Sequence, residues 1–319
     1  MLRSYGDVEF ELIRKPNHIK LVTSEITSTF PRYFTSMLEE VSRDGGMEQL
    51  AQKFRVKKAK SNAPDSLREA LRSALKGYED EKAKYQEVFN DESMQEYRED
   101  PDAFKGHLAR KCPVIRRSLA SQRPEMREWQ QKFKYTPAVE LTDTFVNLQD
   151  FAQEYIDATD PKEYKRFDRC ADFKVGKLQD DEDFSVLGVI GMGIKSAVLY
   201  HQDPRLFARR GRKDLYGFYF LSNEKDFGLP SGTSEFLMIN DLREASETHN
   251  LKMDQNYWYP YDLFSLYALR LYRLLSGSCK ALGIQLDNNH LYVYVVAFLE
   301  GVCRVNQDAI NVMLGGLQE

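Results

Sequence analysis

The sequence predicts a mainly α-helical, multi-helix globular protein with a small β-hairpin at its N-terminus. Three observations carry that prediction. From Pro31 onward apolar residues recur at helical spacing, residues 63–90 form a long amphipathic stretch with helix-start signals, and only the first 30 residues alternate in the manner of strands.

At the N-terminus DVEFELI alternates polar and apolar positions, RKPNH supplies turn residues, and IKLVTSEI resumes a β-branched pattern. Phe34, Met37, Leu38 and Val41 then follow the i, i+3, i+4, i+7 rule, with Asp44-Gly45-Gly46 interrupting the run before Met47. In 63–90, Pro64 suits a first turn, Asp65 and Glu69 favour the positive end of the helix dipole, and Leu67, Leu71, Leu75 and Tyr78 mark the buried stripe. Residues 141–158 form a further amphipathic helix with Thr142 as its cap. An acidic stretch ends at Asp180-Asp181-Glu182-Asp183, which sets the expected internal boundary: 1–180 an outer helical region, 184–319 a more apolar helical core. In that core Pro260 at N1 and Gly283 as a stop bracket a helix of about six turns, apolar around most of its circumference and therefore central. The run YVYVVAFLEGV at 292–302 suits a buried strand or a helix, and its neighbours favour a helix.

Composition narrows the function classes. Of 319 residues 42% are hydrophobic and 29% charged, with a net charge of −4, so the chain is neither disordered nor a wholesale polycation. No apolar run reaches the roughly 18 residues a membrane span needs, and no membrane partner is expected. Cys112, Cys170, Cys279 and Cys303 lie far apart without a CxxC, arguing against structural zinc and a disulfide framework and for a reducing cytoplasm. The histidines show no HxH, HxxxH or HExxH spacing, so neither a metal nor a cofactor is expected.

Charge is strongly segregated. Residues 79–102 carry ten acidic residues against three basic ones, whereas 105–134 carry nine Lys or Arg, Arg116 and Arg117 among them, against Glu125 and Glu128, a net of +7. A second basic run, Arg205, Arg209, Arg210, Arg212 and Lys213, nets +4 over 204–214 with Asp214. Such a patch either grips a phosphate backbone, with affinity that falls steeply with salt, or balances an acidic neighbour. Arg270, three residues after Tyr267 in an apolar stripe, is structural if paired and an anion ligand if it faces a cleft.

One motif carries a mechanism. Ile190-Gly191-Met192-Gly193-Ile194-Lys195-Ser196-Ala197 resembles the helix-hairpin-helix loop, hydrophobic-Gly-hydrophobic-Gly-x-Lys/Arg-Ser/Thr-Ala. There Gly191 and Gly193 bring bare backbone close to a ligand, the free N–H groups of the second helix face a phosphate, and Lys195 adds charge. The same GxG also serves where a turn or close packing needs glycine. The stretch 184–222 is similar to the helix-hairpin-helix DNA glycosylase superfamily, whose bifunctional members carry a catalytic lysine in this loop and an aspartate about 18 residues downstream. That resemblance implies a catalytic pair of Lys195 and Asp214. Asp214 lies 19 residues on, however, and the family's Asp-Thr-His-x-x-Arg context is replaced by Asp214-Leu215-Tyr216-Gly217-Phe218, so the likeness supports the fold better than the chemistry.

The expected function is DNA binding, through phosphate contacts from Gly191, Gly193, Lys195, Ser196 and the basic runs, in a DNA-repair or genome-defence setting. The rival readings are a non-enzymatic protein that binds a protein partner or its own copy through the apolar C-terminal half, and a glycosylase/lyase-like enzyme.

Overall fold

The computed structural model describes residues 7–52, 63–124, 126–240 and 252–314; Glu125 and His249 fall outside them. The chain is mainly helical, and the two β-strands among the described residues lie far from the N-terminus. Where a hairpin is expected, the chain forms α1 (Asp7–Ile13) and α2 (Pro16–Gln52). The reason is visible in burial: His18, Val22, Ile26, Phe30, Tyr33 and Phe34 are inside, a spacing of four and then three or four that a helix places on one face. Over windows of seven residues that stripe also reads as alternation, which is what made the strand pattern. Helix α2 continues through Asp44-Gly45-Gly46, which therefore does not break it.

Helix α3 (Ala63–Phe89) matches its predicted span, and Leu67 and Tyr78 are buried as expected. Next come α4 (Asp91–Glu99), α5 (Pro101–Lys111), α6 (Pro113–Ala120) and α7 (Met126–Tyr135). Pro101 and Pro113 each open a helix, where the missing N–H costs nothing. In α8 (Ala138–Ala158) Thr142 is interior rather than a cap, its hydroxyl donating to the Ala138 carbonyl. The short α9 (Pro161–Tyr164) and α10 (Lys177–Asp180) lead to α11 (Met192–Gln202) and α12 (Arg212–Leu221).

The sheet consists of β1 (Leu237–Asn240) and β2 (Lys252–Gln255), antiparallel, with Leu237 opposite Gln255 and Asn240 opposite Lys252. Helix α13 (Tyr261–Ala281) ends as expected, with Gly283 at φ +71° just beyond it, a conformation that costs glycine nothing. The 292–302 run is helical, within α14 (Leu291–Val305), and α15 (Gln307–Met313) follows.

The core is continuous. Helices α2 and α3 pack against α11, α12, α13 and α14, so residues on both sides of 180–184 share it. Helices α12 and α14 pack closely at Gly217, where an added Cβ would lie 2.9 Å from Leu299 Cβ. A buried polar clamp ties α2 to the sheet region: His18 Nε2 bonds Glu235, whose other oxygen accepts from Tyr259 at 2.5 Å.

Candidate functional site

The motif segment forms a helix start, but not between two full helices. It follows a 3₁₀ turn at Glu182–Phe184 and a tight turn closed by Val186 and Ile190, in which Gly188 has φ +73°. Helix α11 begins at Met192, two residues before the expected Ile194. Gly191, at the N-cap, has extended backbone and open space where a Cβ would be; at Gly193 a Cβ would meet the Arg210 carbonyl at an ordinary 3.9 Å. The turn's conformational demand for glycine therefore falls on Gly188.

Of the motif residues expected to contact phosphate, Lys195 and Ser196 turn inward, whereas Gly191 and Gly193 stay exposed. Lys195 is 2% exposed, and its amine donates to the Leu178 carbonyl and, at 2.8 Å, to Ser185 Oγ. Ser196 is fully buried and its Oγ accepts the Arg210 N–H at 3.0 Å, so the 210 segment lies against the first turn of α11.

The 205–214 run is equally committed. Arg205 is held by Asp203 through both carboxylate oxygens. Arg209 donates to Asp214 through Nε at 3.0 Å and Nη2 at 2.9 Å, and Nη2 also reaches Glu300 at 2.9 Å. Asp214 is fully buried and closes the start of α12 by accepting the Gly211 N–H at 2.7 Å. Burial pushes its carboxyl up, while the Arg209 guanidinium and the Gly211 N–H oppose that and favour the anion. Arg212 pairs with Asp254, which also accepts from Tyr216 and Tyr257. Arg210, 2% exposed, donates to the Asn256 and Tyr257 carbonyls, and desolvation lowers its pKa to about 10. Of the five cations Lys213 alone is exposed.

The Lys195 amine is bound by the 178–185 segment, whereas the Asp214 carboxylate serves Arg209 and the α12 cap. The Lys195 amine is therefore engaged rather than free. The burial of these cations had no signal in the sequence, because each acid that receives them apart from Asp203 and Asp214 lies at least 40 residues away.

The 105–134 block behaves differently. Some of its charge is matched: Lys111 to Glu87 at 2.7 Å, Arg117 to Glu81 at 2.5 Å and Lys132 to Glu128 at 2.7 Å. Arg110, Arg116, Arg123, Arg127 and Lys134 are exposed and make no ion pair among the described residues. Helix α7 is fastened beneath them. Gln130 donates to the carbonyls of Ser118, Leu119 and Ser121 at the end of α6, and Trp129 Nε1 donates to the Val189 carbonyl at 2.8 Å. Tyr135, at the end of α7, is 73% exposed with the Lys134 amine over its ring.

Of the remaining sequence candidates, Arg270 both faces a cleft and is paired, with Asp168. Sequence reasoning did not pick out its cleft neighbours Arg273 and Arg14; the i, i+3 spacing of Arg270 and Arg273 on an apolar helix was the available signal. His201 and Asp203, two residues apart, serve different partners: Asp203 holds Arg205, and the His201 ring lies parallel to Tyr85, 3.9 Å between centroids, with Glu81 at 3.5 Å. Among the described residues no group of side chains has the make-up of a metal site, and no helix is long and apolar enough to cross a membrane. No protein-family model, curated protein or solved structure matches the chain.

Proposed function

We propose that the chain binds DNA without base-specific readout, through the outer surface of α5, α6 and α7 rather than through the α11 loop. One observation carries this reading: five exposed cations, Arg110, Arg116, Arg123, Arg127 and Lys134, lie within 25 consecutive residues and have no carboxylate partner among the described residues. Phosphate backbones are bound by such unspent surface charge, and the contacts fix position without reading sequence. The exposed Tyr135 beside Lys134 adds an aromatic face on which a base can stack. Arg205, Arg209, Arg210, Arg212 and Lys195 contribute nothing to this surface in the conformation described, because their charge is used within the fold.

The test is fluorescence anisotropy of a labelled duplex over about 50–200 mM salt. Five phosphate contacts predict a slope of log K against log salt of about −4.5, and Arg116→Ala or Arg127→Ala each make it shallower by about one while weakening all sequences alike. Lys213→Ala leaves the slope unchanged. Absence of salt-sensitive binding by the unaltered chain, or equal binding by an Arg116→Ala/Arg123→Ala/Arg127→Ala triple variant, overturns the reading.

A further inference from the structure

A cleft of about 910 Å³ opens between the N-terminal half of α2, the 168–170 segment and α13. Its floor is apolar, with Ile19, Ile26, Leu266 and Leu274 contributed by the two helices. One end is cationic. Arg270 crosses to α2, its Nη1 donating to Thr23 Oγ1 at 2.7 Å, while Nη2 donates to the Asp168 side chain at 2.9 Å and to the Asp168 carbonyl at 3.0 Å. Arg273, one turn on, donates to the carbonyls of Lys165 and Phe167 and brings Nη1 to 3.6 Å from the same Asp168 oxygen. Lys20 and Arg169 are exposed on the lining, and Arg14 is engaged by both oxygens of Asp262. Arg169 is spent on Asp172 at 2.9 Å, and the other four cations meet two carboxylates, Asp168 and Asp262.

The two are not equivalent. Asp262 is 15% exposed and locked in a two-pronged pair, whereas the Asp168 side chain is 66% exposed and its carboxylate is held, among the described residues, by the cleft arginines. The arginines are fixed independently of it, by Thr23 and by main-chain carbonyls. A prearranged pair of guanidinium groups over an apolar floor, covered by a carboxylate that water already reaches, is suited to exchange that carboxylate for another anion. We propose that this cleft binds an amphipathic anion, a carboxylate or phosphate monoester on an alkyl body, whose head group replaces the Asp168 carboxylate on Arg270 and Arg273 while its body lies on the α2–α13 floor. The proposal is independent of the DNA reading, since α5–α7 lie outside the cleft lining.

Isothermal titration of the full chain with decyl phosphate, decanoate, inorganic phosphate and decanol tests it. Saturable one-site binding of at least one of the two amphipathic anions is expected, with the stronger of them identifying the head group. Because an exposed ion pair competes only weakly, Asp168→Asn should tighten that anion about two- to fivefold. Arg270→Gln should weaken it about tenfold or more, by the loss of charge-assisted hydrogen bonds. The Asp168→Asn side chain is exposed, so this variant decides the matter even should Arg270→Gln fail to fold. The proposal is overturned when neither anion binds the unaltered chain or Asp168→Asn at millimolar concentration. It is equally overturned when decanol or inorganic phosphate binds as tightly as the alkyl anions, or when Asp168→Asn leaves their affinity unchanged or lower.

Discussion

Asp214→Asn discriminates a structural carboxylate from one held in reserve for chemistry. Asp214 is fully buried and accepts three hydrogen bonds, two from Arg209 and one from the Gly211 N–H. An asparagine keeps an oxygen for the Gly211 N–H but leaves Arg209, itself 21% exposed, with Glu300 as its remaining carboxylate. Removing one partner of a buried ion pair costs about 3–5 kcal/mol, because the surviving charge keeps its desolvation penalty. Glu300→Gln should cost under about 1 kcal/mol, since Glu300 is 36% exposed and Arg209 retains Asp214. Equilibrium unfolding in urea at pH 7, followed by far-UV circular dichroism, reads both. An Asp214→Asn cost within about 1 kcal/mol of zero would refute the reasoning: burial would then have overcome Arg209, the carboxyl would already be protonated, and the amide would be nearly isosteric with it.

Two further outcomes follow from the packing and the buried charge. Gly217→Ala should destabilise by about 1–3 kcal/mol despite the helix propensity gained, because its Cβ would stand 2.9 Å from Leu299 Cβ and 3.2 Å from Leu299 Cα, and α12 and α14 would have to part; a urea midpoint equal to or above that of the parent defeats this. Glu81 is held down to about 2 by the His201 imidazole and, against burial, by Arg117. A depressed carboxyl stabilises the fold above its unfolded value and ceases to as pH falls through the folded one, so stability should decline between about pH 4.5 and 2. Glu81→Gln should flatten that decline and cost about 1.5–3 kcal/mol at neutral pH, and an unchanged acid limb would contradict the assignment.

The helices that were legible in the sequence are those whose signals are local. Pro64 and Asp65 start α3, Gly283 stops α13, and the apolar 292–302 run lies between helical neighbours, each within a few residues of the boundary it sets. The N-terminus was misread because its decisive pattern is long. His18, Val22, Ile26 and Phe30 reveal a helical period only across 13 residues, whereas DVEFELI and IKLVTSEI satisfy an alternating pattern within eight. Strands β1 and β2, four residues each, are too short for alternation to distinguish them from loop.

The two basic runs show why charge in a sequence locates a candidate site less well than it locates a motif. Both have a strong local excess, and beyond the nearby Asp203, Asp214 and Glu128 nothing within either run says where the rest of its counter-charge lies. Arg209 finds Glu300 and Arg212 finds Asp254, 91 and 42 residues further on, while Arg210 finds no acid and settles on the carbonyls of Asn256 and Tyr257. Those partners come from α14 and the segment around β2, which fold back over the start of α12 because Leu215, Phe218 and Leu299 must be buried together. In 105–134 the outcome is opposite because α5–α7 form an outer layer: Phe104, Leu108, Ile115 and Phe133 fill the inward face, leaving Arg110, Arg116 and Arg127 on the outward one. Hydrophobic burial thus decides which cations are spent and which stay available. Positive charge that can serve a ligand in this chain is therefore to be sought on the α5–α7 face and in the α2–α13 cleft, not among the paired cations that flank the glycine motif.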